Sequence, residues 1–222
     1  MRSPNFGERR GGLTPDLVVI HYTAMESCDA AARALCDPAR EVSAHYLISA
    51  KGAVLALVDE PMRAWHAGAG EWRGAGDVNS RSIGIELSNT GGTPFAAAQM
   101  DALDEVLRGI FHRWPVQPDG VIAHSDMAPG RKKDPGPRFD WRRLSLEGLA
   151  VWSDACGNDV DRDRFVIDAR AFGYPKMAPD LLLQTVRLRF RPWARGPLDG
   201  TDCAIMADLA ARYGVDRGRS DA

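Results

Sequence analysis

Three short apolar runs in this chain each stop on a residue that does not belong in a hydrophobic core. Leu17-Val-Val-Ile20 runs into His21, Ser82-Ile-Gly-Ile85 into Glu86, and Gly120-Val-Ile-Ala123 into His124. Continuous apolar stretches this short, with β-branched members, read as buried strands. Strand ends can meet at one rim of a sheet, and rigid elements place reactive groups better than loops do. The pattern predicts a sheet with two imidazoles and a carboxylate gathered along one edge.

The rest of the chain fixes what surrounds that sheet. His45-Tyr-Leu-Ile-Ser49 and Ala53-Val-Leu-Ala-Leu-Val58, joined across Lys51-Gly52, read as a hairpin. Ser27 caps a short alanine-rich helix that Pro38 stops. Thr93-Pro94 offers a helix start, after which Met100, Leu103, Leu107, Ile110, Phe111 and Trp114 form one apolar face. Strands interleaved with helices, plus a hairpin, give an α/β fold: a mixed β-sheet flanked by helices. Residues 1–152 make one domain. A polar stretch from Ser153 to Arg164 reads as a linker to a three-helix module over 160–216. Its helices are marked by Phe165 to Phe172 ending at Gly173, by Leu182, Val186 and Phe190 after Pro179, and by Ile205, Leu209 and Tyr213 after a Thr201 cap. A module of that size buries little on its own, so it is expected to dock on the first domain. The arginines at 187, 189, 191 and 195 read as a solvated helix face.

Charge and composition narrow the function. With 28 basic against 30 acidic residues the chain has no global basic field, so nucleic acid is not an expected partner. Cys28, Cys36, Cys156 and Cys203 form no C-x-x-C pair and read as small buried apolar residues. No window is long and apolar enough for a membrane span. The first ten residues lack the apolar core of a signal peptide, which predicts a cytoplasmic protein unless an export signal was removed. A monomer is the expected state.

The chemistry concentrates in His21 and in His124-Ser-Asp-Met-Ala-Pro-Gly-Arg-Lys-Lys-Asp134, a Pro/Gly-rich stretch. His21, His124 and Asp134 are a ligand set for one catalytic zinc ion, leaving the fourth position for water. Two neutral imidazoles and a carboxylate leave the site a formal charge of +1, enough to acidify that water. Glu86 is suited to act as general base, with a salt-bridged strand-end residue as the alternative. Lys132 is suited to stabilise an oxyanion. Trp65-His66-Ala-Gly reads as a groove wall against which substrate stacks, and His66 is an alternative zinc ligand ranked below Asp134. Asn79 is expected either to order the groove loop or to contact substrate. His45 and His112 read as structural.

Taken together these residues resemble the zinc-dependent N-acetylmuramoyl-L-alanine amidases of the AmpD and AmiD type. The matching runs are Val-Ile-His21-Tyr-Thr, Val-Ser-Ala-His45-Tyr, Ala-Trp65-His66-Ala-Gly, Ser-Ile-Gly-Ile-Glu86-Leu and the His124–Asp134 stretch with its following Pro-Gly. Ala44 stands where related phage amidases and peptidoglycan recognition proteins often carry tyrosine. The resemblance implies zinc in a surface groove held by His21, His124 and Asp134, with Glu86 as base and Lys132 as oxyanion partner. It implies hydrolysis of the amide between N-acetylmuramic acid and L-alanine of the stem peptide, in peptidoglycan or in (anhydro-)muropeptides, for cell-wall turnover and recycling. Residues 160–216 more weakly resemble a peptidoglycan-binding module, through Phe172-Gly-Tyr-Pro and the Gly200-Thr201 turn. That pairing is AmiD-like, whereas the N-terminus is AmpD-like. Two other readings share the motifs: a non-catalytic peptidoglycan-binding protein on the same fold, and a zinc peptidase cutting within the stem peptide. Retention of Glu86, Lys132 and Asp134 favours the amidase.

Overall fold

The apolar runs lie side by side in a five-stranded sheet, two of them inside it and the third, the run ending at Ala123, at its edge. The structure is a computed structural model and describes residues 1–215; residue 216, the last position of the expected C-terminal module, lies outside the described residues. A short strand β1 (Phe6–Gly7) precedes β2 (Leu17–Tyr22) and helix α1 (Cys28–Leu35). The hairpin β3 (Tyr46–Ile48) and β4 (Val54–Ala56) follows, then β5 (Arg63–Ala64), which pairs with β1, the single turn α2 (Val78–Arg81) and β6 (Ser82–Leu87). Helix α3 (Ala97–Arg113) leads to β7 (Val121–Ala123), then to the short helices α4 (His124–Met127) and α5 (Trp141–Leu146). Three helices follow: α6 (Arg162–Phe172), α7 (Pro179–Phe190) and α8 (Gly200–Tyr213).

The sheet order is β4-β3-β6-β2-β7, with β4 antiparallel to β3 and the other neighbours parallel. This is the mixed sheet flanked by helices that the sequence predicts. Side chains alternate along each strand, so the two faces divide cleanly. Val18, Ile20, Ile83, Ile85 and Val121 pack against Met100, Leu103, Leu107 and Ile110 of α3 and against Trp141 and Leu144 of α5. Leu17, Val19 and Ile122 look the other way, into a cluster with Trp72, Val78 and Met127. Phe165, Phe172, Leu182, Val186, Phe190, Ile205 and Leu209 from the last three helices belong to that same cluster. The C-terminal helices therefore complete one face of the sheet, which is the docking their small size requires.

Several local expectations shift. Helix α3 starts at Ala97, capped by Ala96 with no side-chain bond, and not at Thr93-Pro94. Helix α8 is capped by Asp199, whose Oδ1 accepts from the backbone N–H groups of Thr201 and Asp202, and not by Thr201. The capping carboxylate also suits the positive end of the helix dipole. None of the four cysteines is fully buried: Cys156 is exposed, and Cys28, Cys36 and Cys203 are half-buried free thiols. Between Val151 and Asp161 the chain has no regular structure but is not a free tether, since Ser153 is buried and Trp152 stacks near Phe190.

The arginines of α7 depart most from expectation. Arg187 is buried and bound to Asp202 at 2.5 Å, and Arg191 reaches both Asp199 and Asp202. Arg189, only 2% exposed, donates to Asp126 Oδ2 at 2.6 Å and to the Val121 carbonyl at 3.2 Å. Its guanidinium lies 4.1 Å from the centroid of the Trp141 ring. Asp126 is fully buried and also accepts from Ala123 N–H at 2.9 Å and the Tyr174 hydroxyl at 3.0 Å. Arginine suits this place because its fork makes several bonds while its flat face covers an indole. Helix α7 is thereby bonded to the turn that starts at His124.

Removing one member of a buried ion pair leaves the other charged and unpaired. Arg189→Met is expected to lower stability by about 3–5 kcal/mol in chemical denaturation. The double variant with Asp126→Asn should recover part of the loss. An unchanged denaturation midpoint for Arg189→Met would show that the pair carries no weight.

Candidate metal centre

Two parallel pairings put the polar strand ends side by side. His21 is the register partner of Glu86 across β2 and β6, and Ile20 is the partner of Ala123 across β2 and β7. His21, Leu17 and Val19 share a face, as do Glu86, Gly84 and Ser82. His124 follows the last residue of β7 as the first residue of α4. Asp126, held by Arg189, accepts the Ala123 N–H and fixes the turn there. The loop after α4 then folds back on itself: Lys132 N–H donates to the Ala128 carbonyl, and Ser125 N–H to the Asp134 carbonyl at 3.0 Å. Gly130 takes a φ of 75° in that return, a region open to glycine without strain.

The result is a compact triangle. His21 Nδ1, His124 Nδ1 and Asp134 Oδ2 lie 2.9 Å from one another on all three sides. All three residues are buried to 9% exposure or less. Among the described residues they form a group of metal-ligating type with donor atoms within 4.8 Å of each other. The protons needed to explain this triangle without a cation are spoken for. His124 Nε2 lies 2.9 Å from the Ala67 carbonyl, which can only accept, so the neutral ring carries its hydrogen there. Its Nδ1 then presents a lone pair to a carboxylate oxygen. Burial, with the neighbouring His124 second, pushes the His21 imidazole down to about 4, so this ring is neutral near pH 7. Neutral imidazoles and a carboxylate converging at this range fit a divalent cation of borderline softness.

Glu86 stands beside the triangle. Burial, then the nearby Asp134, raises its carboxyl to about 8 against the lowering pull of Lys132. Its Oε2 is buried with no hydrogen-bond partner in the protein. A carboxyl in that condition holds its proton near pH 7, and a cation in the adjacent triangle would favour its ionised form, which could then accept a proton from a ligand in the space in front of it. That space is a groove of about 480 Å³ whose floor holds His21, Glu86, His124 and Asp134. Met25, Ala31, Leu35, Val42 and Trp65 supply an apolar wall, and Arg40, Arg131, Lys132 and Lys133 a cationic one. The groove thus suits a ligand that is part apolar and part anionic. A larger cleft of about 750 Å³ between α6, α7 and residues 192–198 has no comparable cluster, and Arg187 on its wall is engaged by Asp202.

Other residues singled out in the sequence fall at different depths. Trp65 lines the groove. His66 also borders the groove, while its Nδ1 faces His21 Nε2 at 3.0 Å, on the side away from the triangle. Asn79 is buried under the loop, where its Oδ1 accepts from the backbone N–H groups of His66 and Ala67. His45 is fully buried and receives the Gly84 N–H on its Nδ1 at 2.9 Å. Sequence reasoning missed Ser82 and Gly84, which lie against His66. The signal for Gly84 was present, because a glycine inside a strand often marks close approach by another group.

With the geometry in hand, comparison with known proteins is specific. Residues 11–137 match the family model described as N-acetylmuramoyl-L-alanine amidase. N-acetylmuramoyl-L-alanine amidase AmiD of Escherichia coli (strain K12) is 36% identical over 239 residues, covering 90% of this chain and 84% of that protein. The 1,6-anhydro-N-acetylmuramyl-L-alanine amidase AmpD of the same strain is 35% identical over 161 residues, 65% of this chain and 88% of that one. The solved complex of E. coli AmiD with the substrate anhydro-N-acetylmuramic acid-L-Ala-D-gamma-Glu-L-Lys superposes with a TM-score of 0.82 at 34% identity, over 96% of this chain and 99% of that one.

Asp134→Ala leaves two imidazoles where three donors stood. It is expected to weaken divalent-metal binding by more than the roughly 10–100-fold that loss of an outer hydrogen-bond partner costs. Retention of one tightly held ion per chain after dialysis against chelator would sink this assignment.

Proposed function

Because the chain belongs to the N-acetylmuramoyl-L-alanine amidase family, we propose that the triangle of His21, His124 and Asp134 holds one zinc ion and that Glu86 and Lys132 carry the chemistry beside it. The protein is an amidase, and its reaction is hydrolysis of the bond between the lactyl carbonyl of N-acetylmuramic acid and the L-alanine nitrogen in muropeptides. The observation that carries the assignment of roles is the meeting of three acceptor atoms next to a buried, unpartnered carboxyl oxygen.

Zinc bound here supplies Lewis acidity that makes water a better nucleophile and polarises the amide carbonyl. Glu86 Oε2, lacking any protein partner, takes a proton from the attacking water as its oxygen bonds to the carbonyl carbon. Lys132 on the groove wall offsets the negative charge that develops on the carbonyl oxygen. When the carbon–nitrogen bond breaks, Glu86 returns that proton to the leaving nitrogen, giving a stem peptide with a free amine and a lactyl carboxylic acid that keeps the second water proton until it ionises to solvent. Burial and Asp134 raise the affinity of Glu86 for the proton, which favours holding it between the two transfers. The half-apolar, half-cationic groove suits a sugar that stacks and a stem peptide that carries carboxylates. Muropeptides are therefore the substrate class, either soluble anhydro-muropeptides or the same units within peptidoglycan.

Zinc-loaded protein incubated with soluble anhydro-muropeptide and, separately, with intact sacculi should release stem peptides beginning at L-alanine, identified by mass and abolished by chelator. Glycan-linked peptides cut elsewhere would overturn the bond assignment. Glu86→Gln should retain stoichiometric zinc yet turn over roughly 100-fold or more slowly. Near-normal turnover in that variant would reduce Glu86 to a structural residue.

A further inference from the structure

The hydrogens behind His21 can be traced one by one. Ser82 Oγ lies 2.5 Å from the Val78 carbonyl, which only accepts, so the hydroxyl proton points there. Ser82 Oγ is also 3.1 Å from His66 Nε2. With its own proton committed, the hydroxyl accepts, and His66 carries its hydrogen on Nε2. His66 Nδ1 is then bare, and it lies 3.0 Å from His21 Nε2, which must donate. That leaves His21 Nδ1 as the bare nitrogen, 2.9 Å from both Asp134 Oδ2 and His124 Nδ1. The sequence of donors ends on a backbone carbonyl, which has no alternative state, so the direction of every bond is set.

His66 is itself held from three sides. Asn79 Oδ1 accepts from its backbone N–H and from that of Ala67. Its ring lies on Gly84, where a Cβ would collide with the imidazole, so only glycine leaves room for it there. Gly84 N–H is in turn bonded to His45 Nδ1, while His45 Nε2 faces the Met62 carbonyl at 3.0 Å. His66 Nδ1 points at the outer nitrogen of His21 and away from the triangle, so His66 is not a fourth ligand. We propose that His66, seated on Gly84 and oriented by Ser82, is a positioning residue that fixes the rotation and the tautomer of His21, aiming its Nδ1 lone pair at the metal. The proposal rests on the zinc reading of the site. A ligand with its outer N–H held by a fixed acceptor loses less freedom on binding, and loss of such a partner typically weakens metal binding by about 10–100-fold.

The test is zinc affinity of the full chain, measured by competition with a chromophoric chelator, together with the cobalt(II) absorption spectrum and the denaturation midpoint of the metal-free protein. His66→Leu removes the acceptor and is expected to weaken zinc binding about 10–100-fold and alter the cobalt spectrum. His66→Gln should restore both, because its amide oxygen can accept from His21 while its NH₂ donates to Ser82. Ser82→Ala, a smaller change that keeps the ring, should weaken binding by about threefold to tenfold, below the loss for the direct partner. Wild-type affinity in His66→Leu, or a His66→Gln no better than His66→Leu, overturns the positioning role while leaving zinc in place. Failure of the wild-type chain to bind zinc stoichiometrically overturns the zinc reading and this one with it. Should His66→Leu prove too unstable to purify, Ser82→Ala binding zinc like wild type overturns the proposal.

Discussion

Everything at the site depends on the register of one central strand. Strand β2 pairs with β6 on one side and β7 on the other, both parallel. Those pairings set His21 beside Glu86 and one step from His124. A slip of one residue would turn His21 toward α3 and bring Ile20 or Tyr22 to the groove face. The register is secured by burial on both sides, since Leu17 and Val19 fill one cluster while Val18 and Ile20 fill the other. The strand cannot shift without exchanging two well-filled sets of side chains, and the geometry of the triangle follows from that rigidity.

Much of this was legible in the sequence because it is written in local patterns. Apolar runs ending in His21, Glu86 and His124 name the strands and the rim they share. The Pro/Gly-rich return from His124 to Asp134 names the loop that brings the carboxylate back. These features need only period, length and turn chemistry to be read. His66 illustrates the boundary. Its neighbours Trp65 and Gly68 mark a loop near the groove, but that its ring also reaches the back of His21 depends on Gly84, in a strand eighteen residues away. Asn79 is similar: it orders the loop by bonding to His66 and Ala67, contacts that spacing alone does not reveal.

The α7 arginines were misread for a related physical reason. Arginines are usually exposed, so the run Arg187, Arg189 and Arg191 reads as wet surface, although Arg189, two residues from each of the others, falls on the opposite side of the helix. In the structure their partners are Asp202 and Asp199 at the start of α8 and Asp126 after β7. Buried cations are tolerable only when paired and hydrogen-bonded, and here each has an acidic partner distant in sequence. No window of the chain contains both members of the Arg189–Asp126 pair. The cap of α8 was within local reach, since Asp199 stands two residues before Thr201 and its Oδ1 accepts the Thr201 and Asp202 N–H groups as well as an Arg191 N–H.

The cluster shared by the sheet and the last three helices has a consequence for how this protein divides. The stretch matching the family model stops at residue 137 and carries every residue of the triangle. Its sheet, however, presents Leu17, Val19 and Ile122, with Trp72 of the loop before α2, to Phe165, Phe172, Leu182, Val186 and Phe190 from beyond that point. Cut there, the chain would keep its reactive groups and expose a contiguous apolar surface of the kind that drives self-association. The two parts are thus not interchangeable cassettes. A helical tail grafted from a relative would need a matching relief of large and small side chains, and a substitution on either side of that seam would be felt first as a loss of solubility.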